Sequence, residues 1–233
     1  MLGLSGSNTA AMVRRIREIE AWPVAGYLVT CPYYSRPSQE GLAQHFQALA
    51  AETEKPLLLY NIPYRTGVNL ANETVLRLAE HPRIVGIKDC CANLAQTFDL
   101  LRARPPGFAV LTGEDALLFT HLGLGADGGI LASAHVETES FAAMRRALLA
   151  GERETALRLW SGLADIVTLL FAEPSPGPIK HWLWREGRIA TPELRLPMTG
   201  VSAALAGRID RAIARQRVSR SAIHAGAGTS AGI

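Results

Sequence analysis

Residues 1–135 alternate between short apolar runs and longer amphipathic segments. Each apolar run is bounded by turn residues, which is typical of strands buried on both faces of a parallel sheet. The predicted strands are 2–4, 26–30, 57–60, 84–88, 108–112 and 129–132. The segments between them have apolar residues at helical spacing over 9–20, 38–52, 72–80, 93–103 and 115–122. Ser38, Asn72 and Asn93 are predicted to cap three of these helices.

Successive strand starts lie about 20–30 residues apart, which is the spacing of βα units. Two architectures fit this α/β pattern: a doubly wound sheet of six strands, and a (β/α)8 barrel that would need two more strands. The sequence has neither GxGxxG after its first predicted strand nor GxxxxGK[ST], so no motif favours a nucleotide-binding sheet. The pattern alone leaves both architectures open.

Helices replace the βα alternation after Ala134. Helical spacing is predicted over 137–150, 152–171, 176–186 and 201–215. The stretch 217–233 is rich in Ala, Gly and Ser and lacks apolar spacing, so it is predicted to be a disordered tail. The predicted organisation is therefore a βα domain over 1–135, a helical region over 136–216 and the tail.

Composition narrows the functional classes. Hydrophobic residues make up 48% of the 233 residues, which is enough for a large core. The net charge of +3 arises from scattered residues, which argues against nucleic-acid binding. Three cysteines without CxxC spacing indicate free thiols in a cytoplasmic protein and no structural metal site. No apolar run reaches membrane-spanning length, and the first residues lack a signal-peptide pattern.

Polar residues cluster where the predicted strands end, which is the ligand-binding edge of both architectures. Lys88 closes the apolar run 84–87, where burial disfavours an ammonium ion and lowers its pKa. A neutral amine can attack a ketone and form a Schiff base. The alternative is that Lys88 only pairs with an acid such as Asp89. The other lysines, Lys55 and Lys180, are predicted to be solvated or to extend their ammonium groups to the surface.

Two side chains near Lys88 could take part in such chemistry. Tyr60 ends the neighbouring predicted strand, so its phenol can serve as an acid and base in the same cavity. It can equally be a rim residue with a hydrogen-bonded hydroxyl. Arg65 lies in the turn 63–67 and can either grip a carboxylate with two hydrogen bonds or lie in solvent.

Other residues at this edge have simpler interpretations. Tyr33 and Tyr34 are typical of a subunit interface, where tyrosine is enriched. Cys90 and Cys91 have no activating histidine beside them and are interpreted as packing thiols. His135 ends a predicted strand and is interpreted as a rim residue rather than a metal ligand.

Five segments resemble, in the same order, motifs of the 4-hydroxy-tetrahydrodipicolinate synthase (dihydrodipicolinate synthase) family. Residues 31–42, CPYYSRPSQEGL, resemble TPYYNRPSQEGL, and residues 60–67, YNIPYRTG, resemble YNVPSRTG. Residues 85–89, VGIKD, resemble the Schiff-base strand VGIKE or VGIKD. Residues 111–115, LTGED, resemble the SGDD turn, and residues 171–180, FAEPSPGPIK, resemble FVEPNPIPVK. The ordered match runs from the first predicted strand to the last predicted helix.

The resemblance implies a TIM (β/α)8-type barrel with a C-terminal helical region. It implies a Schiff-base lyase that condenses pyruvate with L-aspartate 4-semialdehyde, a step of diaminopimelate and lysine biosynthesis. Lys88 would form the covalent imine with pyruvate, without a cofactor or a metal ion, and Tyr60 would pass protons at the reacting centre.

The resemblance also implies roles in substrate binding and assembly. Arg65 would hold the carboxylate of the semialdehyde, and Gly129 with Ile130 would line the pyruvate site. Tyr34 would reach across a tight dimer interface into the partner's site. The implied assembly is a cytoplasmic homotetramer, built as a pair of tight dimers.

Departures from the family pattern keep other readings open. In the family two βα units precede the equivalent of the first strand, and the second carries a GTTGE segment that is absent here. We therefore expect 1–135 to be a partial barrel of six strands that lacks the first two βα units. Either the start codon lies upstream, or the chain is an inactive truncated paralogue that binds a full-length relative. A third alternative is another pyruvate-dependent aldolase, of the N-acetylneuraminate lyase or keto-deoxy sugar acid type. The arginine at position 65 argues against the sialic-acid lyases, which usually lack an arginine at the corresponding position.

Overall fold

The computed structural model describes the backbone of residues 1–227 and the side chains of residues 1–216. The chain divides into two compact units, Met1–Leu131 and Ala132–Ile233. This boundary lies close to the predicted one at residue 135, where βα units give way to helices. None of the helices in the described residues is both long enough and apolar enough to cross a bilayer.

Six parallel strands form one sheet in the first unit, in the order β1-β2-β3-β4-β5-β6. They are β1 (Leu2–Leu4), β2 (Tyr27–Thr30), β3 (Leu57–Asn61), β4 (Ile84–Asp89), β5 (Ala109–Thr112) and β6 (Gly128–Gly129). Each strand pairs with the next one along the chain, as in a barrel, whereas a doubly wound sheet reverses its order at a switch point. The strand order therefore selects the barrel architecture from the two that the sequence left open.

Side chains alternate between the two faces of this sheet. Residues such as Val29, Leu57 and Leu59 are fully buried and pack in one core with the helices. Their neighbours in sequence lie on the opposite face. The register between β3 and β4 shifts once, between Leu57 and Leu58, and takes up one extra residue, Val85. Beyond this shift the pairing is regular to the strand ends.

Helices cover one face of the sheet in the first unit. They are α1 (Thr9–Ile19), α2 (Gln39–Ala50), α3 (Pro63–Thr66), α4 (Asn72–Leu78), α5 (Leu94–Ala103) and α6 (Leu118–Gly123). A single 3-10 turn, Asp115–Leu117, leads into α6. Apolar residues at helical spacing, such as Ile16 and Phe46, fill the core against the strands, which is why the amphipathic segments fold as helices here.

Two of the three predicted helix caps are confirmed. The Ser38 hydroxyl accepts a hydrogen bond from the Gly41 N–H at 3.2 Å, and Asn93 caps α5 in the same manner. The prediction for Asn72 is wrong, because Asn72 is already the first residue of α4. Its amide instead donates to the Gln96 carbonyl at 2.9 Å, so a tertiary contact overrides the local capping preference.

The second unit is built from helices. After a 3-10 turn, Ser133–His135, come α7 (Thr138–Leu149), α8 (Arg153–Leu170), α9 (Gly177–Arg185) and α10 (Ala203–Ala227). Trp182 and Ile209 are fully buried at the centre of its core. The helix α10 enters the segment 217–233 that the sequence predicts as a tail and extends to Ala227, and residues 228–233 lie outside the described residues.

Candidate active site

Lys88 and Tyr60 lie side by side on the face of the sheet that points away from the helical core. Lys88 belongs to β4 and Tyr60 to β3, and the register pairs the two residues directly. Leu59 and Asp89, which each adjoin one of them in sequence, are buried on the opposite face. The Nζ atom of Lys88 lies 4.3 Å from the centre of the Tyr60 ring. The fold thus brings two predicted catalytic residues into contact.

Burial is the main influence on the Lys88 amine. Loss of hydration lowers the pKa of Lys88 below its usual 10.5. The guanidinium of Arg65 acts in the same direction, whereas Cys90, Asp115 and Glu114 oppose the shift. At a given pH a larger fraction of this amine is neutral than in an exposed lysine, and the neutral amine is the nucleophile in Schiff-base formation.

Asp89 follows Lys88 directly but does not serve as its counter-ion. One oxygen of the Asp89 carboxylate accepts a hydrogen bond from the Thr97 hydroxyl at 2.7 Å. The other oxygen accepts from the Cys91 N–H at 3.0 Å. These partners lie on the helix side of the sheet, away from the amine. Asp89 is therefore not the acid that pairs with Lys88, and the acidic side chains that act on this amine are Asp115 and Glu114.

The other two lysines are engaged with backbone carbonyls. The Lys55 ammonium donates to the carbonyl of Glu20, and the Lys180 ammonium donates to the carbonyl of Glu193. Both side chains therefore make structural contacts. Lys88 is the lysine whose surroundings favour a reactive amine.

The phenol of Tyr60 lies in surroundings that favour its protonated form. Burial raises the pKa of Tyr60 above its usual 10.0, and the neighbouring Cys90 acts in the same direction. The Cys90 thiol donates a weak hydrogen bond to the Tyr60 hydroxyl oxygen across 3.9 Å. A phenol that keeps its proton at neutral pH can donate it to a developing oxyanion and take it back.

A hydrogen bond connects the segments that follow β3 and β5. The Tyr64 hydroxyl donates to the Glu114 carboxylate at 2.9 Å, which spans the end of β4 between them. Although 63% of Tyr64 is exposed, partial loss of hydration around it, and after that this hydrogen bond, raises the pKa of Tyr64 above its usual range. The sequence suggested no role for Tyr64. Its one signal was its place four residues after Tyr60, at the same sheet edge.

Arg65 lies beside this contact at the rim of the site. It belongs to the short helix α3, which ends at Gly67 with a left-handed φ of 81°. The Arg65 guanidinium carbon lies 6.0 Å from the centre of the Tyr64 ring, and the side chain is exposed. A substrate carboxylate that approaches from solvent can therefore reach the guanidinium.

Gly113 leaves the space that the Lys88 side chain fills. A Cβ atom at Gly113 would lie 2.4 Å from the Cε of Lys88 and 2.3 Å from the Sγ of Cys90. The Gly113 N–H donates to the Asp89 carbonyl at 2.8 Å, so the backbone is held by a bond that continues the β4–β5 ladder. The lack of a side chain at Gly113 therefore leaves the room that the Lys88 side chain needs in this position.

Tyr34 presents its side chain to solvent, with 94% of its surface exposed. Its backbone adopts a φ of 71°, which is uncommon for a residue with a side chain. The Tyr34 N–H donates to the Thr66 carbonyl at 3.1 Å, which ties this segment to α3. An exposed aromatic side chain at a strained position suits a contact with another molecule. The predicted role in a partner's site stays a prediction.

Gly129 and Ile130 lie at the end of the edge strand β6. Gly129 pairs in register with Thr112, and the Ile130 N–H donates to the Thr112 carbonyl at 2.9 Å. The strand β5 separates them from the strand that carries Lys88. Their predicted contact with pyruvate stays a prediction.

Metal and thiol chemistry have little support at this site. In the part of the chain whose side chains are described, no group of three or more His, Cys, Asp or Glu residues could hold a metal ion. Burial raises the pKa of Cys31 and of Cys90 to about 12, so neither thiol forms the nucleophilic thiolate at neutral pH. The arrangement favours chemistry through the Lys88 amine.

Comparison with known proteins gives a consistent result. The sequence matches the model of the Dihydrodipicolinate synthetase family over residues 1–216. The 4-hydroxy-tetrahydrodipicolinate synthase 2 of Clostridium acetobutylicum is 42% identical over 210 residues, which are 90% of this chain and 73% of the relative. The synthase of Moorella thermoacetica is 42% identical over 200 residues, which are 86% of this chain and 68% of the relative.

Solved structures extend the similarity to the fold. The 4-hydroxy-tetrahydrodipicolinate synthase of Methylacidiphilum fumariolicum matches with a TM-score of 0.89 at 35% identity, over 95% of this chain and 74% of that one. The dihydrodipicolinate synthase of Acinetobacter baumannii, crystallised in complex with pyruvate, matches with a TM-score of 0.85 at 34% identity, over 91% of this chain and 72% of that one. The similarity therefore includes both the sheet and the helical unit.

Proposed function

The chain belongs to the Dihydrodipicolinate synthetase family, and from this premise we propose that it condenses pyruvate with L-aspartate 4-semialdehyde to 4-hydroxy-tetrahydrodipicolinate, in diaminopimelate and lysine biosynthesis. The observation that carries the proposal is the contact between the Lys88 amine and the Tyr60 ring at 4.3 Å. A buried amine with a lowered pKa, beside a phenol that keeps its proton, supports a Schiff-base lyase.

The first half of the reaction forms an imine on Lys88. The neutral amine attacks the carbonyl carbon of pyruvate, and the carbonyl oxygen takes up a proton. The resulting carbinolamine loses that oxygen as water, which leaves a carbon–nitrogen double bond to Lys88. Tyr60 is the group placed to give and recover the proton, because its hydroxyl is protonated and its ring contacts the amine.

The second half joins the two substrates. Loss of a proton from the methyl carbon of the imine gives an enamine, which attacks the aldehyde carbon of the semialdehyde. The amino group of the product then attacks the imine carbon, closes the ring and releases the Lys88 amine. Arg65 binds the semialdehyde carboxylate at the exposed rim, and Gly129 with Ile130 lines the pyruvate site.

The proposed assembly is a (β/α)8 barrel to which the described chain contributes six strands. Two further βα units would pair with the edge strands β1 and β6, whose outer backbone groups have no ladder partner in the sheet. In keeping with this, the chain spans 73% of the Clostridium acetobutylicum relative. We propose a cytoplasmic homotetramer of tight dimers, in which the exposed Tyr34 reaches the partner's site.

Trapping of the imine tests the central step. The protein is incubated with pyruvate, reduced with borohydride, digested and analysed by mass spectrometry. The expected result is a pyruvyl adduct on Lys88 that disappears in Lys88→Arg and persists in the matched variant Lys180→Arg, whose lysine binds a backbone carbonyl. An adduct on another lysine would refute the assigned role. Absence of any adduct would favour a chain that binds a relative without catalysing the reaction.

A substrate screen tests the choice of aldehyde. Arg65→Ala should raise the KM for the semialdehyde by about 10–100-fold, because an ionic contact to a carboxylate is lost, and should leave imine trapping unchanged. If Arg65→Ala raises the KM for an uncharged aldehyde by the same factor, the result would indicate one of the other pyruvate aldolases instead.

A further inference from the structure

Cys90 lies one residue beyond β4 and turns its side chain to the face that carries Lys88. This follows from the alternation of side chains, which places Asp89 on the other face. The Cys90 N–H donates to the Asn61 carbonyl at 2.8 Å and so continues the β3–β4 ladder past the strand end. Only 1% of Cys90 is exposed, and the thiol is therefore fixed at the base of the site.

The thiol contacts the hydroxyl of Tyr60. Its Sγ atom donates across 3.9 Å to the Tyr60 oxygen, which is within the range of a sulfur hydrogen bond. Burial, and after it the charge of Glu114, raises the pKa of Cys90 to about 12, so the thiol keeps its proton at neutral pH and can act as a donor. A donor at this point occupies a lone pair of the Tyr60 oxygen and leaves the phenolic proton available for another acceptor.

The space around the thiol is limited by the neighbouring strand. A Cβ at Gly113 would lie 2.3 Å from the Cys90 Sγ and 2.4 Å from the Lys88 Cε, so the two side chains pack against the same stretch of backbone. The backbone at Gly113 therefore limits the space for the thiol on that side. The contact of Cys90 that bears on the proposed mechanism is the one with the Tyr60 hydroxyl.

We propose that Cys90 is a positioning residue, whose thiol orients the Tyr60 hydroxyl so that its proton points towards the substrate atoms at Lys88. The inference rests on the proposed function, because it assigns a partner to the proton-transferring phenol. Cys90 itself forms no bond to substrate in this scheme. The Cys90 thiol changes the fraction of molecules in which the Tyr60 hydroxyl proton points towards the substrate.

Variants at residue 90 separate this role from packing. In Cys90→Ala the hydroxyl loses its donor, and kcat for condensation should fall about three- to tenfold, as for one neutral hydrogen bond. The KM for pyruvate and the amount of imine trapped at equilibrium should stay within about twofold, because the orientation of the Tyr60 hydroxyl changes the rate of proton transfer rather than the stability of the imine. Cys90→Ser keeps an O–H donor at the same place and should recover much of kcat.

Cys91→Ala is the matched control. Cys91 is the adjacent thiol, but its Sγ contacts the Asp89 carboxylate at 3.3 Å rather than Tyr60, so kcat should not change. The proposal is overturned if Cys90→Ala keeps the wild-type kcat, or if Cys90→Ser is no better than Cys90→Ala. It is also overturned if Cys90→Ala lowers trapping, kcat and melting temperature together, which would indicate packing alone. Failure of the wild-type protein to trap pyruvate would instead refute the proposed function.

Discussion

Replacement of Gly113 by alanine should lower activity about 100-fold while the protein stays folded. The new Cβ would lie 2.4 Å from the Lys88 Cε, whereas carbon atoms in contact are separated by about 3.5 Å. The side chain of Lys88 must therefore retreat by about 1 Å, because the backbone at Gly113 is held by its hydrogen bond to Asp89. A misplacement of about 1 Å at a reacting group can cost a factor of about 100 in rate.

A loss of stability should accompany the loss of activity. Overpacking typically destabilises by about 1–3 kcal/mol, and the crowded atoms here are the flexible end of Lys88 and the buried Sγ of Cys90. We therefore expect imine trapping and kcat/KM to fall about 100-fold, with a loss of about 1–3 kcal/mol in the free energy of unfolding. Gly123→Ala is the control, since its Cβ would meet no atom within 4 Å. Wild-type trapping rates in Gly113→Ala would refute the reasoning.

Three further outcomes can be measured. The folded state lowers the pKa of Lys88 below 10.5, so the cost of the buried charge is greatest at low pH and disappears as pH rises through 10.5. Lys88→Met should therefore melt at a higher temperature than wild type near neutral pH, and the gain should shrink towards pH 10.5. Burial lowers the pKa of His45 from 6.5 to about 4, so stability is retained above pH 6.5 and lost as pH falls from 6.5 to about 4. Denaturant titrations should show a loss of about 2–3 kcal/mol over this range that is absent from His45→Gln. Tyr64→Phe removes the donor to Glu114 and should raise the KM for the semialdehyde by about three- to tenfold with unchanged imine trapping. A changed rate of imine trapping would indicate that the hydrogen bond between Tyr64 and Glu114 affects the reaction with pyruvate instead.

The strands of the first unit were predictable because each is a short apolar run between turn residues. The segment 84–88 was predicted as a strand, and β4 is Ile84–Asp89. The prediction was weaker at the sheet edge, where 129–132 was expected and β6 is only Gly128–Gly129. An edge strand pairs on one side alone, so the ladder with β5 decides its length rather than its own apolar residues.

The site was predictable only in part. The depressed pKa of Lys88 followed from its place at the end of a buried run, and the structure bears this out through loss of hydration. The hydrogen bond of Tyr64 to Glu114 spans fifty positions of sequence, and nothing local to either residue predicts it. The same holds for the amide of Asn72, which contacts a residue of another helix. Such contacts depend on the tertiary arrangement, which local propensity does not contain.

The register shift between β3 and β4 has an evolutionary consequence. It absorbs one residue, Val85, before Gly86, so a relative that is one residue shorter there can keep the regular pairing that follows. Between Gly86 and Lys88 there is no extra residue, because each position pairs in register with β3. One deleted residue would exchange the faces of Lys88 and Asp89, which would leave a carboxylate beside Tyr60 and an amine in the helical core. Alignments of homologues should therefore tolerate gaps at the start of this strand and exclude them over its second half.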